Sequence, residues 1–344
     1  MRKSTINILL ILGALLSGLM IGCGRADSNN VTVRIGYFPN ITHSQAVIGV
    51  ANDAFQEALG PDVTVEVKVF NAGPSVIEAL FAGGIDLAYI GPNPAINGYV
   101  RSQGKALRIV AGASSGGAVF VVRPDANINT VEDLNGKKIA SPQLGNTQDI
   151  ALRAFLKAAG LSPSEKGGTV QALPVANPDI LTLFLKGDID GAWVPEPWGA
   201  RLIKEAGGKL FLDERSIWPE GKFNTTNVIA RTEFLEEHPE LVKKWLEVHV
   251  DLTRWINNHP EEAKKMLNAE IKRLAGKALR EDVLDDAFSR IEVTYDPIKS
   301  SLFTSALWAY EAGFLGKEKP DLSGIYDLSL LNQILEERNL EPIR

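Results

Sequence analysis

The chain has a single cysteine in 344 residues, Cys23. That excludes an internal disulfide and any site built from paired thiols. Histidine is scarce too, with His43, His238, His249 and His259 making up the whole set, and no zinc-ligand spacing joins them. Basic charge is in deficit, 36 Lys and Arg against 42 Asp and Glu, for a net charge of −6. No basic stripe offers a groove for nucleic acid. Also missing are a lysine-bearing phosphate loop, a serine-nucleophile turn, a low-complexity tract and a coiled coil. What remains is an ordinary globular composition, 45% hydrophobic and 23% charged, in a chain long enough for two lobes.

The one long apolar run lies at the N-terminus. Arg2 and Lys3 precede an almost wholly apolar stretch over 6–21, which stops at Gly22-Cys23-Gly24 before the polar segment 25–30. The run falls short of the about 20 residues that a stable membrane span needs. Leu19-Met20-Ile21-Gly22-Cys23 resembles the bacterial lipoprotein signal, in which cleavage falls before a cysteine that receives a lipid. The expectation is a signal peptide over 1–22, lipidation at Cys23 and a linker over 23–30. The mature chain is then exported and tethered to the outer face of the cytoplasmic membrane. Loss of Arg2 and Lys3 takes the formal charge from −6 to −8.

The body of the chain repeats a phrase. Leu80-Phe81-Ala82-Gly83-Gly84-Ile85-Asp86-Leu87-Ala88-Tyr89-Ile90 runs into Pro92-Asn93-Pro94. Leu183-Phe184-Leu185-Lys186-Gly187-Asp188-Ile189-Asp190-Gly191-Ala192-Trp193-Val194 runs into Pro195-Glu196-Pro197. Each copy reads as a helix end, a glycine stop, a short buried strand and a proline-bracketed turn opening the next helix. Two lobes built alike follow from the repetition.

Period and punctuation predict strands over 31–36, 63–70, 85–90, 107–113 and 118–122, with helices over 44–59, 74–81 and 93–101 and a loop over 114–117. The second lobe reads as strands over 138–140, 170–175, 191–194 and 209–212, with helices over 147–159, 178–186 and 196–206. A strand over 227–231 follows, then helices over 239–257, 260–274, 280–291, 300–312 and 329–337. This βα rhythm implies an α/β protein with mostly parallel sheets covered by helices. The lobe limits are expected at 31–115 with 225–344 for the first and 116–224 for the second.

In open α/β sheets ligands bind beyond the carboxyl ends of the strands. The strand-to-helix turns there are rich in Gly, Asn, Ser and Thr and nearly free of Lys and Arg. The first offers Asn40, His43, Ser44 and Gln45; the second Asn71 and Gly73; the third Gly91 and Asn93. Ser114 and Ser115 sit between two strands. The second lobe offers Asn146, Thr147 and Gln148, then Asn177, then Trp193 and Glu196. Helix starts leave backbone N–H groups unpaired, and the helix dipole adds partial positive charge. Neutral turns of this kind can hold a small oxyanion without a cationic side chain. Each alone also reads as a helix cap. His43 bonds a ligand or titrates near neutral pH, or else it caps the helix that begins near Ser44. Trp193 is either an apolar wall for a ligand tail or core; Glu196 either meets a ligand ammonium or starts a helix.

These turns resemble those of the substrate-binding proteins of ABC importers for sulfonates, nitrate and taurine. Gly36-Tyr37-Phe38-Pro39-Asn40-Ile41-Thr42-His43, Phe70-Asn71-Ala72-Gly73-Pro74-Ser75, Tyr89-Ile90-Gly91-Pro92-Asn93-Pro94, Gly145-Asn146-Thr147-Gln148-Asp149 and Trp193-Val194-Pro195-Glu196-Pro197-Trp198 carry the likeness. It spans the whole mature chain and is nearest the aliphatic-sulfonate branch. The resemblance implies the two-lobed periplasmic-binding-protein fold (type II) with a hinge of crossing strands. It implies an anionic headgroup near His43, Gly73, Asn93, Ser115 and Thr147, with the Trp193–Glu196 turn facing it. A membrane permease as partner, a monomer, and no cofactor or metal also follow. Some relatives of this architecture are enzymes, either cleaving C–S bonds with a cysteine or using a histidine in pyrimidine synthesis. Cys23 lies in the signal, so His43 alone would keep an enzymatic reading open.

Overall fold

A computed structural model describes residues 31–344; the signal segment, Cys23 and the linker lie outside the described residues. Among the described residues eleven strands form two sheets: β1 (Val31–Tyr37), β2 (Val63–Val69), β3 (Leu87–Ile90), β4 (Leu107–Gly116), β5 (Ala118–Val122), β6 (Lys138–Ser141), β7 (Gln171–Pro174), β8 (Gly191–Pro195), β9 (Lys209–Asp213), β10 (Asn224–Arg231) and β11 (Ile291–Val293). The first sheet runs β11-β4-β10-β3-β1-β2 and the second β7-β6-β8-β5-β9.

The two sheets share one plan. β3 lies between parallel β1 and antiparallel β10; β8 lies between parallel β6 and antiparallel β5. The outer strands match as well, β2 with β7 and β4 with β9. The repeated phrase therefore occupies equivalent central strands, and β11 is the addition to the first sheet.

Helices cover both faces of the first sheet. On one side, Ser44–Ala51, Pro239–Asn258, Pro260–Ala275 and Ser329–Glu337 bury a core around Trp245, Phe55 and Tyr89. On the other, Gly73–Phe81, Pro92–Arg101 and Lys299–Glu311 pack over Ile77, Ile90, Ile96 and Leu302. The second sheet has its own cores around Trp193 and Phe120 and around Phe184 and Val194. Among the described residues no helix is long and apolar enough to cross a membrane.

The chain crosses between sheets at Gly116-Gly117, both at positive φ (71° and 74°). A Cβ at Gly117 would stand 2.5 Å from Ile291 Cγ1, so the crossing needs glycine for conformation and for space. The return runs through Glu214–Ile217 and on into β10.

Three expectations are corrected. The helix expected over 44–59 is two, Ser44–Ala51 and Ala54–Leu59, parted by Asp53 in the left-handed region (φ 58°) that Asn and Asp tolerate. The break turns Phe55 to stack on Trp245 at 5.0 Å. β4 continues through Ser114 and Ser115, because both pair with β10 and β11 instead of forming a loop. The helix expected over 280–291 ends at Phe288; Arg290 turns inward and Ile291–Val293 becomes β11.

Candidate functional site

A small cavity lies between the sheets, with about 20 Å³ open to the centre of a water molecule. Phe38, Asn40, Thr42, His43, Asn71, Gly73 and Gly91 line it from the first lobe. Asn146, Thr147, Gln148, Asn177 and Pro195 line it from the second, and Thr225 and Thr226 from β10. No Lys, Arg, Asp or Glu is among them.

Four helix starts meet this space. Gly73 begins Gly73–Phe81, Gly91 precedes Pro92–Arg101, Asn146 precedes Thr147–Ala158, and Asn177 begins Asn177–Lys186. No side chain caps any of them. Pro74, Pro92, Pro94 and Pro178 have no N–H, and the Asp179 N–H donates to the Ala176 carbonyl. The other first-turn N–H groups are the donors left, and the helix dipoles add positive potential from both lobes. Thr147 Oγ1 and Asn177 Oδ1 are buried with no hydrogen-bond partner. Buried polar atoms are nearly always paired in folded proteins, so orphans at such a point mark where a solute belongs.

His43 is buried beside this space. The Phe38 N–H approaches its Nδ1 at 3.4 Å, which leaves the Nε2 proton as the donor. Burial pushes its pKa down to about 3, correcting the expectation that it titrates near neutral pH. It is a neutral imidazole in this setting.

The lobes are closed on each other. A Cβ on Gly91 would lie 2.4 Å from Thr147 Oγ1, across the cleft. The Trp198 indole N–H donates to Asn40 Oδ1 at 3.1 Å, and Lys157 meets Glu311 at 3.0 Å. Arg290 reaches Glu196 at 2.9 Å.

Several residues expected at the site serve elsewhere. Ser44 Oγ donates to the Ile41 carbonyl, and Gln45 Nε2 to the Ala113 carbonyl at 2.8 Å, so both tie down the first turn. Asn93 Nδ2 donates to the Ser305 carbonyl at 3.2 Å, beneath the helix Lys299–Glu311. Ser114 and Ser115 are ladder residues; Ser115 Oγ accepts the Phe223 N–H. Trp193 is fully buried, stacked on Phe120 at 5.4 Å and donating to Glu214 at 2.7 Å, so it forms no wall. Glu196 is equally buried, accepting the Ala200 N–H at 2.8 Å and holding Arg290, so no carboxylate is left for an ammonium. Burial pushes its pKa up, while the Ala200 N–H and Arg290 pull it back.

Phe38, Thr42, Pro195, Thr225 and Thr226 line the cavity without having been singled out. For Thr225 and Thr226 a signal exists: Asn224-Thr225-Thr226-Asn227 puts four polar residues in a row in a strand whose first seven positions are buried. A buried central strand is otherwise almost wholly apolar.

Two α/β lobes closed on a small cavity at the ends of their strands give the two-lobed architecture of periplasmic solute-binding proteins. The chain belongs to the NMT1-like family, whose sequence model matches residues 26–271. It is 30% identical over 237 residues to the taurine-binding periplasmic protein of Escherichia coli K12, covering 69% of each chain. It is 25% identical to the putative aliphatic sulfonates-binding protein of Bacillus subtilis 168, over 93% of this chain and 95% of that one. In fold it is similar to the periplasmic nitrate-binding protein NrtA from Synechocystis PCC 6803 (TM-score 0.74, 16% identity, 90% of this chain and 89% of that one). It is also similar to the alkanesulfonate-binding protein SsuA from Xanthomonas axonopodis pv. citri bound to MOPS (TM-score 0.70, 20% identity, 83% and 95%).

Proposed function

We propose that the chain is the extracytoplasmic receptor of an ABC importer that captures a small oxyanion, a sulfonate before nitrate, and delivers it to a membrane permease. The observation that carries this reading is the meeting of four uncapped helix starts, from both lobes, on a cavity with no charged side chain. The donors are fixed before the ligand arrives, so binding needs little reorganisation. Contacts made from both sides at once are what drive closure, since only they distinguish the closed state from the open one.

The finer parts of this reading go together. Cys23 carries the lipid, and 1–22 is removed. The receptor lobes are 31–115 with 225–344, and 116–224. Their ligand contacts come from Asn40, His43, Asn71, Gly73, Gly91, Asn146, Thr147, Gln148 and Asn177. The protein works as a monomer and is not an enzyme: Cys23 is its only thiol, and a buried histidine held near pKa 3 is a poor proton acceptor.

Isothermal titration of the purified chain with methanesulfonate, taurine and nitrate tests the proposal. Binding of at least one with a Kd of about 1 μM, roughly −8 kcal/mol, is the expected result. Absence of both heat and thermal shift with every small anion refutes it.

A further inference from the structure

Building on the oxyanion reading, we propose that Trp198 is a positioning residue that makes Asn40 a donor to the solute. On closure its indole N–H takes Asn40 Oδ1, which turns the amide so that Nδ2 faces the cavity and restricts the site to solutes that accept hydrogen bonds. Asn40 lines the cavity from the first lobe and is 5% exposed. Trp198 starts the helix Trp198–Lys204 of the second lobe, and its Nε1 stands 3.1 Å from Asn40 Oδ1.

The chemistry of this pair sets the orientation of the amide. An indole nitrogen only donates, so it is met by the oxygen of a carboxamide and never by its NH2 group. With Oδ1 taken, the open end of the amide is Nδ2, which also only donates. An oxyanion accepts from it. An ammonium or amide N–H in that place would leave a buried donor unpaired, and a site of this kind rejects such a solute strongly. The dependence runs both ways: the anion holds Nδ2 and thereby presents Oδ1 to Trp198, so capture and closure favour the same state of one side chain.

Everything around the pair is fixed except the Asn40 side-chain torsions. The Asn40 N–H donates to the Phe38 carbonyl at 2.7 Å, and its carbonyl accepts the His43 N–H at 3.0 Å. On the other lobe the Arg201 guanidinium lies 4.7 Å from the centre of the Trp198 ring and is itself bonded to Glu205. The ring packs against the core that holds Val194 and Leu202. A rigid donor on one lobe thus addresses a rotatable acceptor on the other.

The test is a double-mutant cycle read by calorimetric titration and stopped-flow dissociation with methanesulfonate, taurine and nitrate. Trp198→Phe keeps a ring under Arg201 and removes the N–H. It should weaken the tightest-binding of the three about tenfold, the worth of one well-made hydrogen bond, through faster release. In an Asn40→Ala background the same change should weaken binding less than about twofold, because no amide is left to orient. A ring that merely supports its helix would give equal losses in the two backgrounds, and equal losses overturn the proposal. Asn40→Asp keeps an acceptor for the indole and sets a carboxylate oxygen in the place of Nδ2, so it should weaken anion binding at least about a hundredfold. Should Trp198→Phe fail to fold, Asn40→Asp decides: binding at wild-type affinity overturns the positioning role and leaves the oxyanion reading standing. Silence of the wild-type chain with all three solutes overturns the oxyanion reading itself and the positioning role with it.

Discussion

The turn after β3 and the turn after β8 begin from the same phrase and end differently. After β3 the chain reaches Gly91 and an uncapped helix start facing the cavity. After β8 only Pro195 reaches the cavity; Glu196 folds back to the Ala200 N–H and across to Arg290 of the other lobe. Equivalent positions in equivalent sheets thus open onto the cavity in one lobe and form an interlobe strut in the other. The fold fixes where a strand ends, and the next one or two residues decide what that end does.

The largest effect that would sharpen this contrast is in pH dependence, because the lobes bury opposite kinds of acid. In the first, His43 is pushed down to about 3 by burial. In the second, burial pushes Glu214 up to about 7, against the N–H groups of Trp193 and Trp218 that its carboxylate accepts. As pH falls below about 6.5 the unfolded chain protonates at His43 and the folded one does not, so stability drops. As pH rises above about 4.5 the unfolded chain loses the Glu214 proton and the folded one keeps it, so stability drops in the other direction. Between pH 4.5 and 6.5 each is worth roughly 3 kcal/mol, with opposite sign. His249, pushed down to about 4 mainly by burial, adds to the first trend, and Glu196, pushed up to about 7 mainly by burial, adds to the second. Urea midpoints across this range should show His43→Gln shifting the profile toward greater stability at acid pH and Glu214→Gln shifting it toward less. Parallel profiles for wild type and both variants would defeat the contrast.

A second pair of substitutions separates the copies by what is lost. In Gly91→Ala the new methyl meets Thr147 Oγ1 at 2.4 Å across the cleft. Either the hydroxyl rotates away or the lobes stay apart, and affinity for the bound anion falls about ten- to a hundredfold, roughly 1.4–3 kcal/mol, with little change in melting temperature. In Gly199→Ala the methyl meets Val119 Cγ2 at 2.1 Å inside the second lobe. Overpacking there costs about 1–3 kcal/mol of stability. Titration and thermal melts of both variants read the difference, and a Gly91→Ala protein that binds as wild type would break the assignment of the closed state.

How far this could be foreseen depends on whether the signal is local. The turns at Gly73, Gly91, Thr147 and Asn177 are written next to one another in sequence, as strand, glycine or asparagine, then helix, and the topology places all of them at one cavity. Trp193 and Glu196 have their reasons far away: Glu214 takes the indole N–H, and Arg290 emerges from a stretch whose periodicity reads as continuous helix. β11 was hidden for the same cause, since three residues carry too little pattern to outvote the helix before them. Thr225 and Thr226 were legible in principle, as polar residues in a buried strand, but only to a reader who treats a broken apolar run as a signal.

The smallest effect concerns two of the ion pairs that join the lobes. Glu196 is fully buried and Arg290 nearly so, whereas Lys157 and Glu311 have side chains 63% and 38% exposed. Water and salt screen the outer pair, and two long side chains lose rotamer freedom to form it, so it is worth about 0.2–1 kcal/mol. Lys157→Met should therefore weaken anion binding by less than about fivefold at low salt and leave it unchanged at 0.5 M salt, where the Debye length is only about 4 Å. A larger loss that persisted at high salt would mean that closure depends on the exposed rim. The strut after β8 would then lose the role that its burial gives it.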